Sequence, residues 1–304
     1  MAKKDKDSSA SEIQTDKFIY DGKNKFLISE ASNRIKPLYQ SKKDYRKQLA
    51  AMVAEIDELQ AVMNAQNRHG LLLVFQAMDA AGKDGTIRRL LSGVNPAGVQ
   101  VYSFKKPSDE ELDHGYLWRI IQRMPERGRI GVFNRSYYEE VLVVRVHPEI
   151  LTKYQRIPEE LTEDTEAVFD SRFSEIRNFE SYATSNGIHV IKFFLNVSHE
   201  EQGQRLLARL EDPEKHWKFS FADVDEREHW KKYMQAFEDC INATACKAAP
   251  WAVIPADDKL NMRLIVTSIV LQELRKLKLK TPPASERLAN EMEDIKARLK
   301  AQKP

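Results

Sequence analysis

Lys83 follows a run of small residues, Ala77-Met78-Asp79-Ala80-Ala81-Gly82, and precedes Asp84-Gly85-Thr86. Ahead of it, residues 71–75 are apolar and read as a short buried strand. Strand, loop without bulk, Gly-Lys and helix start form a phosphate-binding layout. The first turn of a helix carries N–H groups without partners, and its dipole makes that end positive. A phosphate placed there is held by several donors at once, so Ala80, Ala81, Gly82, Asp84 and Gly85 are candidate phosphate contacts. Lys83 adds a mobile charge. The full pattern is Gly-x-x-x-x-Gly-Lys-Ser/Thr; here Ala77 holds the first glycine position and Asp84 the hydroxyl position. A carboxylate binds Mg²⁺ as a hydroxyl does, so Asp84 is a candidate metal ligand. Asp79 is the residue that this pattern does not explain. Its charge facing phosphate must be screened or protonated. Three roles stay open for it: a Mg²⁺ ligand, a general base, or a helix cap.

Further charged residues fall where the same chemistry would use them. The apolar run 129–133 ends in Asn134-Arg135. Beside a phosphate loop, such a strand end is where a second Mg²⁺-organising carboxylate usually sits. Asn134 is neutral, Arg135 can clamp a phosphoryl oxygen, and Glu139 can supply the missing charge and a second metal contact. Arg205 and Arg209 lie one helical turn apart. Lys215 and Lys218 follow, around Trp217. A basic segment there can close over phosphates and exclude water. The plainer alternative is a solvated face in which Glu201 pairs with Arg205. Asp257 or Asp258 can cap a last core helix, with Lys259 and Arg263 facing the site. The seven histidines are scattered without paired metal-ligand spacing.

Positioning these groups requires a sheet. Apolar runs at 71–75, 99–104, 129–133, 187–195 and 251–255 alternate with helical patterns at 86–91, from Ser108 to about 124, 162–186, 199–210, 225–246 and 257–277. Alternation predicts an α/β protein: a three-layer α/β/α sandwich around a five-stranded parallel sheet, with right-handed crossovers. Ligands then sit beyond the carboxyl ends of the strands, which gathers Asp79–Thr86, Lys105, Lys106, Asn134, Arg135 and Asp257–Lys259. The expected organisation is a disordered tail over 1–16, an N-terminal helical extension over 17–69 with a helix at 41–67, a core over 70–281 with a lid at about 204–224, and a charged C-terminal helix within 282–304.

With 304 residues and 42% hydrophobic content, the chain can bury one large core. Its 48 basic and 46 acidic residues leave a net charge of +2, which argues against a nucleic-acid coat and leaves room for a local basic channel. Two cysteines, six apart in one predicted helix, argue against a disulfide. Together with the absence of a signal-peptide pattern and of a long apolar run, they point to a cytoplasmic protein without membrane or nucleic-acid partners.

AMDAAGKDG, FNRSYYEEV, FFLNVSHEEQGQRLLARLEDPEKHWKFS and APWAVIPADDK, in that order over residues 70–277, resemble the second family of polyphosphate kinases. The resemblance implies a P-loop kinase fold of the thymidylate-kinase type. It implies Mg²⁺-dependent phosphoryl transfer between inorganic polyphosphate and nucleotides, with Mn²⁺ as a substitute ion. The family's loop aspartate and lysine fall on Asp79 and Lys83, its second-motif arginine on Arg135, and its lid residues on Arg205, Arg209, Lys215, Trp217 and Lys218. Many members carry Asp-Arg-Ser-Trp-Tyr where this chain has Asn134-Arg135-Ser136-Tyr137-Tyr138, a departure at the metal-organising position. FNRSYYEEVLVVRVHPE resembles the subgroup that uses both AMP and ADP. The expected partners are polyphosphate, AMP, ADP and ATP, with guanine nucleotides as further candidates, and a second copy of the chain in a homo-dimer or tetramer. Two alternatives differ in class: an ATP-dependent kinase of a small metabolite or nucleotide, and a non-catalytic nucleotide-sensing module. No Asn-Lys-x-Asp follows a strand, which disfavours a GTPase.

Overall fold

The computed structural model describes residues 13–302, apart from the side chain of Lys218. Six strands form one sheet: β1 (Ile19–Tyr20), β2 (Gly70–Gln76), β3 (Val99–Ser103), β4 (Ile130–Asn134), β5 (Ile188–Asn196) and β6 (Trp251–Pro255). Their order is β1-β6-β5-β2-β4-β3. The five strands β2 to β6 are parallel, as the alternation requires. The sixth, β1, corrects the expected five: it pairs antiparallel with β6, Ile19 opposite Ala252. The expected tail over 1–16 is corrected in part. Residues 1–12 lie outside the described residues, but Thr15 is buried and its hydroxyl donates to Gln272.

β2 is buried along its whole length between β4 and β5. Leu71–Phe75 are each 0% exposed, which explains a continuous apolar run rather than an alternating one. The helices, in chain order, are α1 (Lys42–Gln66), α2 (Lys83–Leu90), α3 (Asp109–Leu112), α4 (Trp118–Ile121), α5 (Val143–Val146), α6 (Glu149–Lys153), α7 (Thr165–Ser185), α8 (His199–Leu210), α9 (Ala222–Glu228), α10 (Trp230–Thr244), α11 (Lys259–Lys276) and α12 (Glu286–Ala301). α1 and α2 pack on α11, and α7 packs on α10 and β5. Side-chain caps fix several starts: Ser41 for α1, Asp164 for α7, Ser198 for α8 and Asp258 for α11.

Two long helices expected from periodicity are each broken. Ser108 starts α3 with a capping box, but the chain leaves the helix at Asp113 and resumes at Trp118 beyond Gly115. α9 and α10 are likewise separate, joined at His229. Cys240 is buried in α10, whereas Cys246 lies past its end, and both thiols are free. No helix among the described residues is long and apolar enough to cross a membrane.

Candidate active site

The phosphate loop joins β2 to α2 at the point where the strand order reverses, the usual ligand crevice of an open parallel sheet. Backbone geometry shapes it. Ala80 and Gly82 both have positive φ, 58° and 108°, and Gly82 serves as the N-cap of α2 without any side-chain cap. Asp79 therefore caps nothing, which removes the third of its possible roles. Lys83 opens α2, and only 8% of it is exposed. Its ammonium donates to the carbonyls of Ala77 at 2.7 Å and Met78 at 3.2 Å. Burial lowers its pKa, with the charge of Asp79 working the other way. The lysine is thus held on the floor of the crevice rather than projecting into it.

Arg135 leaves the end of β4 in the left-handed region, φ 63°, a conformation that costs a non-glycine residue on the order of 1 kcal/mol or more. Its amide bonds the carbonyl of Phe75 at 3.1 Å, which fixes it beside the loop. Its guanidinium donates to Asp79 Oδ1 at 2.7 Å and reaches Glu139 Oε2 at 3.4 Å. Burial opposes this charge, but Glu139 and Asp79 outweigh it. Burial also raises the pKa of Glu139, against the pull of Arg135 and Lys83. Asn134 donates to Asp84 Oδ1 at 2.7 Å. An aspartate at position 134 would set two carboxylates against each other, so the neutral residue matches the carboxylate on α2.

Two cavities meet here. The larger, ≈ 960 Å³, is walled by residues 79–85 of the loop, by Lys105, Lys106, Asn134 and Arg135, and by Arg209, Lys215 and Trp217 of the covering segment. The smaller, ≈ 240 Å³, has Leu142, Val143 and Phe237 as apolar walls, with Glu139, Glu226 and Tyr233 among its polar groups. Asp79, Arg135 and Asp223 belong to both. The arrangement can hold an extended polyanion on one side and a second, partly apolar ligand on the other, with one carboxylate–guanidinium pair between them.

Of the expected phosphate contacts, Ala80, Ala81, Gly82, Lys83, Asp84, Gly85, Arg209 and Lys215 line the larger cavity. Arg205 does not. It is 7% exposed, and its guanidinium is fully committed to protein acceptors. Nε donates to Glu201 at 2.7 Å, Nη1 to the Ala81 carbonyl at 2.7 Å, and Nη2 to the Ala256 carbonyl at 2.7 Å. The expected lid arginine is therefore a strut that ties the loop to the end of β6; the predicted pairing with Glu201 is present. Asp258 caps α11, Asp257 accepts from the Ser198 amide, and Arg263 turns toward α2. Lys218 is in the covering turn, but its side chain lies outside the described residues.

Some site residues had no local signal. Asp223 accepts from Arg209 at 3.1 Å and borders both cavities. Burial raises its pKa, and Asp79 adds to the effect. Gln202 donates to the Asp79 carbonyl at 3.0 Å and accepts from Arg227 at 2.6 Å. Among the described residues, no group of three or more His, Cys, Asp or Glu is placed to hold a metal by itself. Asp79 and Asp84 both border the larger cavity and could together hold an ion whose remaining oxygens would come from phosphate and water. That donor set suits Mg²⁺, which keeps several waters and binds through one or two carboxylates.

The polyphosphate kinase 2 family profile matches residues 39–282. An ADP-polyphosphate phosphotransferase of Rhodopseudomonas palustris is 45% identical over 287 residues, covering 94% of this chain and 99% of that protein. An AMP/ADP-polyphosphate phosphotransferase of Meiothermus ruber is 41% identical over 246 residues, covering 80% and 87%. The crystal structure of polyphosphate kinase 2 from Arthrobacter aurescens superposes with a TM-score of 0.79 at 38% identity, covering 89% of this chain and 92% of that one. A loop lysine on the crevice floor, an arginine strained into place beside it and a profile match across the whole core agree: the chain belongs to the polyphosphate kinase 2 family.

Proposed function

We propose that the chain transfers phosphoryl groups between inorganic polyphosphate and nucleotides, with ADP and AMP as acceptors. The observation that carries this reading is the pair of cavities sharing Asp79 and Arg135. Polyphosphate lies in the larger one against Lys105, Lys106, Arg209 and Lys215, its end at the amides of α2. The nucleotide enters by the smaller cavity, phosphate first. Little covalent chemistry is then asked of the protein; positioning and charge stabilisation suffice. Arg135, fixed by Asp79 and Glu139, lies where the moving phosphoryl group would pass from one cavity to the other. Lys83 exchanges a loop carbonyl for a phosphate oxygen when the donor binds. Arg209 and Lys215 hold the chain and cover it. Mg²⁺, or Mn²⁺ in its place, would supply Lewis-acid neutralisation of the phosphate oxygens from a position on Asp79 and Asp84.

Purified protein with Mg²⁺, ADP and polyphosphate is expected to form ATP, and with AMP to form ADP and then ATP. ATP formation from ADP with AMP left untouched would place the chain outside the AMP- and ADP-using subgroup. Turnover only with an ATP donor would select the ordinary kinase, and none with any donor the sensor. We further place the enzyme in the cytoplasm, where both thiols stay reduced, and as a homo-oligomer, for which exposed Leu288 and Leu299 on α12 offer an apolar contact. Light scattering in solution tests the latter.

A further inference from the structure

Away from the two cavities, a groove of ≈ 360 Å³ runs between α1, the end of α2 and the start of α11. Lys42, Arg46, Arg89 and Arg263 line it, and no acidic side chain does. None of these four cations makes an ion pair or a side-chain hydrogen bond among the described residues. Like charges gathered without counter-charge repel one another, so the arrangement favours an anion that bridges them. Two polar atoms reinforce the point. Tyr45 is 7% exposed, and its buried hydroxyl has no hydrogen-bond partner. Nε of Arg263 is buried without one as well. Native proteins seldom bury such groups unless something satisfies them.

The groove adjoins the phosphate loop. Nη2 of Arg263 lies 3.2 Å from where a Cβ on Gly85 would stand, and Gly85 borders the larger cavity. Lys259, one turn earlier on α11, feels Arg205 and Arg263, with Glu201 working against them. Cations therefore continue from the loop across Gly85 and around the flank of α2. The floor is apolar, from Leu49, Val53 and Leu260, and the walls carry no carboxylate or amide to read a base. That chemistry suits a repeating phosphate chain and gives a nucleotide nothing specific to hold.

We propose that this groove is a distal polyphosphate subsite, which takes the part of the chain beyond the reacting end. The inference rests on the phosphotransfer reading above and adds a structural origin for chain-length preference. It is tested with Arg46→Glu/Arg89→Glu, two exposed positions, by comparing kcat/KM for long-chain polyphosphate with that for tripolyphosphate, ADP being the acceptor. The long-to-short ratio is expected to fall by about tenfold or more, since two charge-assisted contacts are lost. Tyr45→Phe, which removes only the orphan hydroxyl, should lower the same ratio by about a few-fold. A ratio equal to wild type in both variants overturns the subsite. If the wild-type protein turns over no polyphosphate, the phosphotransfer reading fails, and direct binding decides separately. Retention of long-chain polyphosphate on ultrafiltration should drop in the double variant; equal retention overturns the groove as a polyanion site. Orthophosphate displacing the long chain from the groove at equal phosphate concentration would mark a free-phosphate site and overturn the chain reading.

Discussion

Two charged clusters meet at the turn that follows β4, built from the same kinds of residue and serving opposite ends. Between β5 and α7, Lys192 is 0% exposed and donates to Glu180 at 2.6 Å and to the Thr244 carbonyl at 2.9 Å. Glu180 also accepts from Tyr137 at 2.8 Å and Tyr138 at 2.7 Å. The hydroxyl of Thr244 takes the indole N–H of Trp251 at 2.9 Å. Every strong donor in this cluster meets a protein acceptor. At the phosphate loop, Arg135 and Asp79 are 41% and 30% exposed in their side chains and share a single close bond. The first cluster is electrostatically finished, and the second is left open toward a cavity. Composition does not separate a structural ion pair from a reactive one; unfilled coordination does.

The largest effect is expected in the closed cluster. Lys192→Met removes one partner of a buried pair and should cost about 3–5 kcal/mol of stability. Urea unfolding should show an earlier midpoint, with turnover per folded molecule little changed. A full loss of turnover in protein that remains folded would break the division between the two clusters.

In the open cluster the effects should fall on rate instead. Lys83→Ala should lower kcat by at least about 10²-fold, as lost charge stabilisation at a phosphoryl centre does, while the protein stays folded with a lower melting temperature from the two lost loop bonds. Asp79→Asn should be nearly inactive with its fold intact. If Asp79 is a metal contact, higher Mg²⁺ or Mn²⁺ recovers part of the rate; if it is a general base, higher pH does so. Full activity at ordinary Mg²⁺ would deny it both roles. Arg209→Ala is expected to raise KM for polyphosphate by about tenfold and to flatten its rise with salt, while KM for ADP changes little. A KM for polyphosphate that ignores salt in the wild type would count against the basic channel.

The smallest effect concerns pH. Burial raises the Glu139 carboxyl above its ordinary value, so the folded state binds a proton more tightly than the unfolded one. As pH rises from the ordinary carboxylate value through the raised one, that group takes stability away. Glu139→Gln removes this dependence. Its melting temperature relative to wild type should climb as pH rises above the ordinary carboxylate value; a difference that falls instead would mean that Arg135 outweighs burial.

Much of this is legible in the residue types alone. Strand β6 and helix α8 have the bounds that the apolar run and the helical pattern predict, because both depend on neighbours in sequence. Lys83 and Arg135 were visible because loop chemistry and a strand end are local patterns. Arg205 was misplaced for the opposite reason. Its partners at Ala81 and Ala256 are backbone carbonyls, which leave no trace in residue type. Asp223 reaches the site through the path of the covering segment, a tertiary fact. Lys192 leaves a trace: a lone lysine amid the apolar residues 190–195 calls for a buried carboxylate, and Glu180 supplies it.

The two-residue strand β1 carries no chemistry, yet it borders β6, whose backbone would otherwise present unpaired amides and carbonyls at the rim of the sheet. Open rims recruit other chains, and proteins suppress this by covering them. Ile19 and Tyr20 cover this rim at Ala252 and Trp251. Removing the first 20 residues is expected to expose the β6 edge and promote self-association, which light scattering would register.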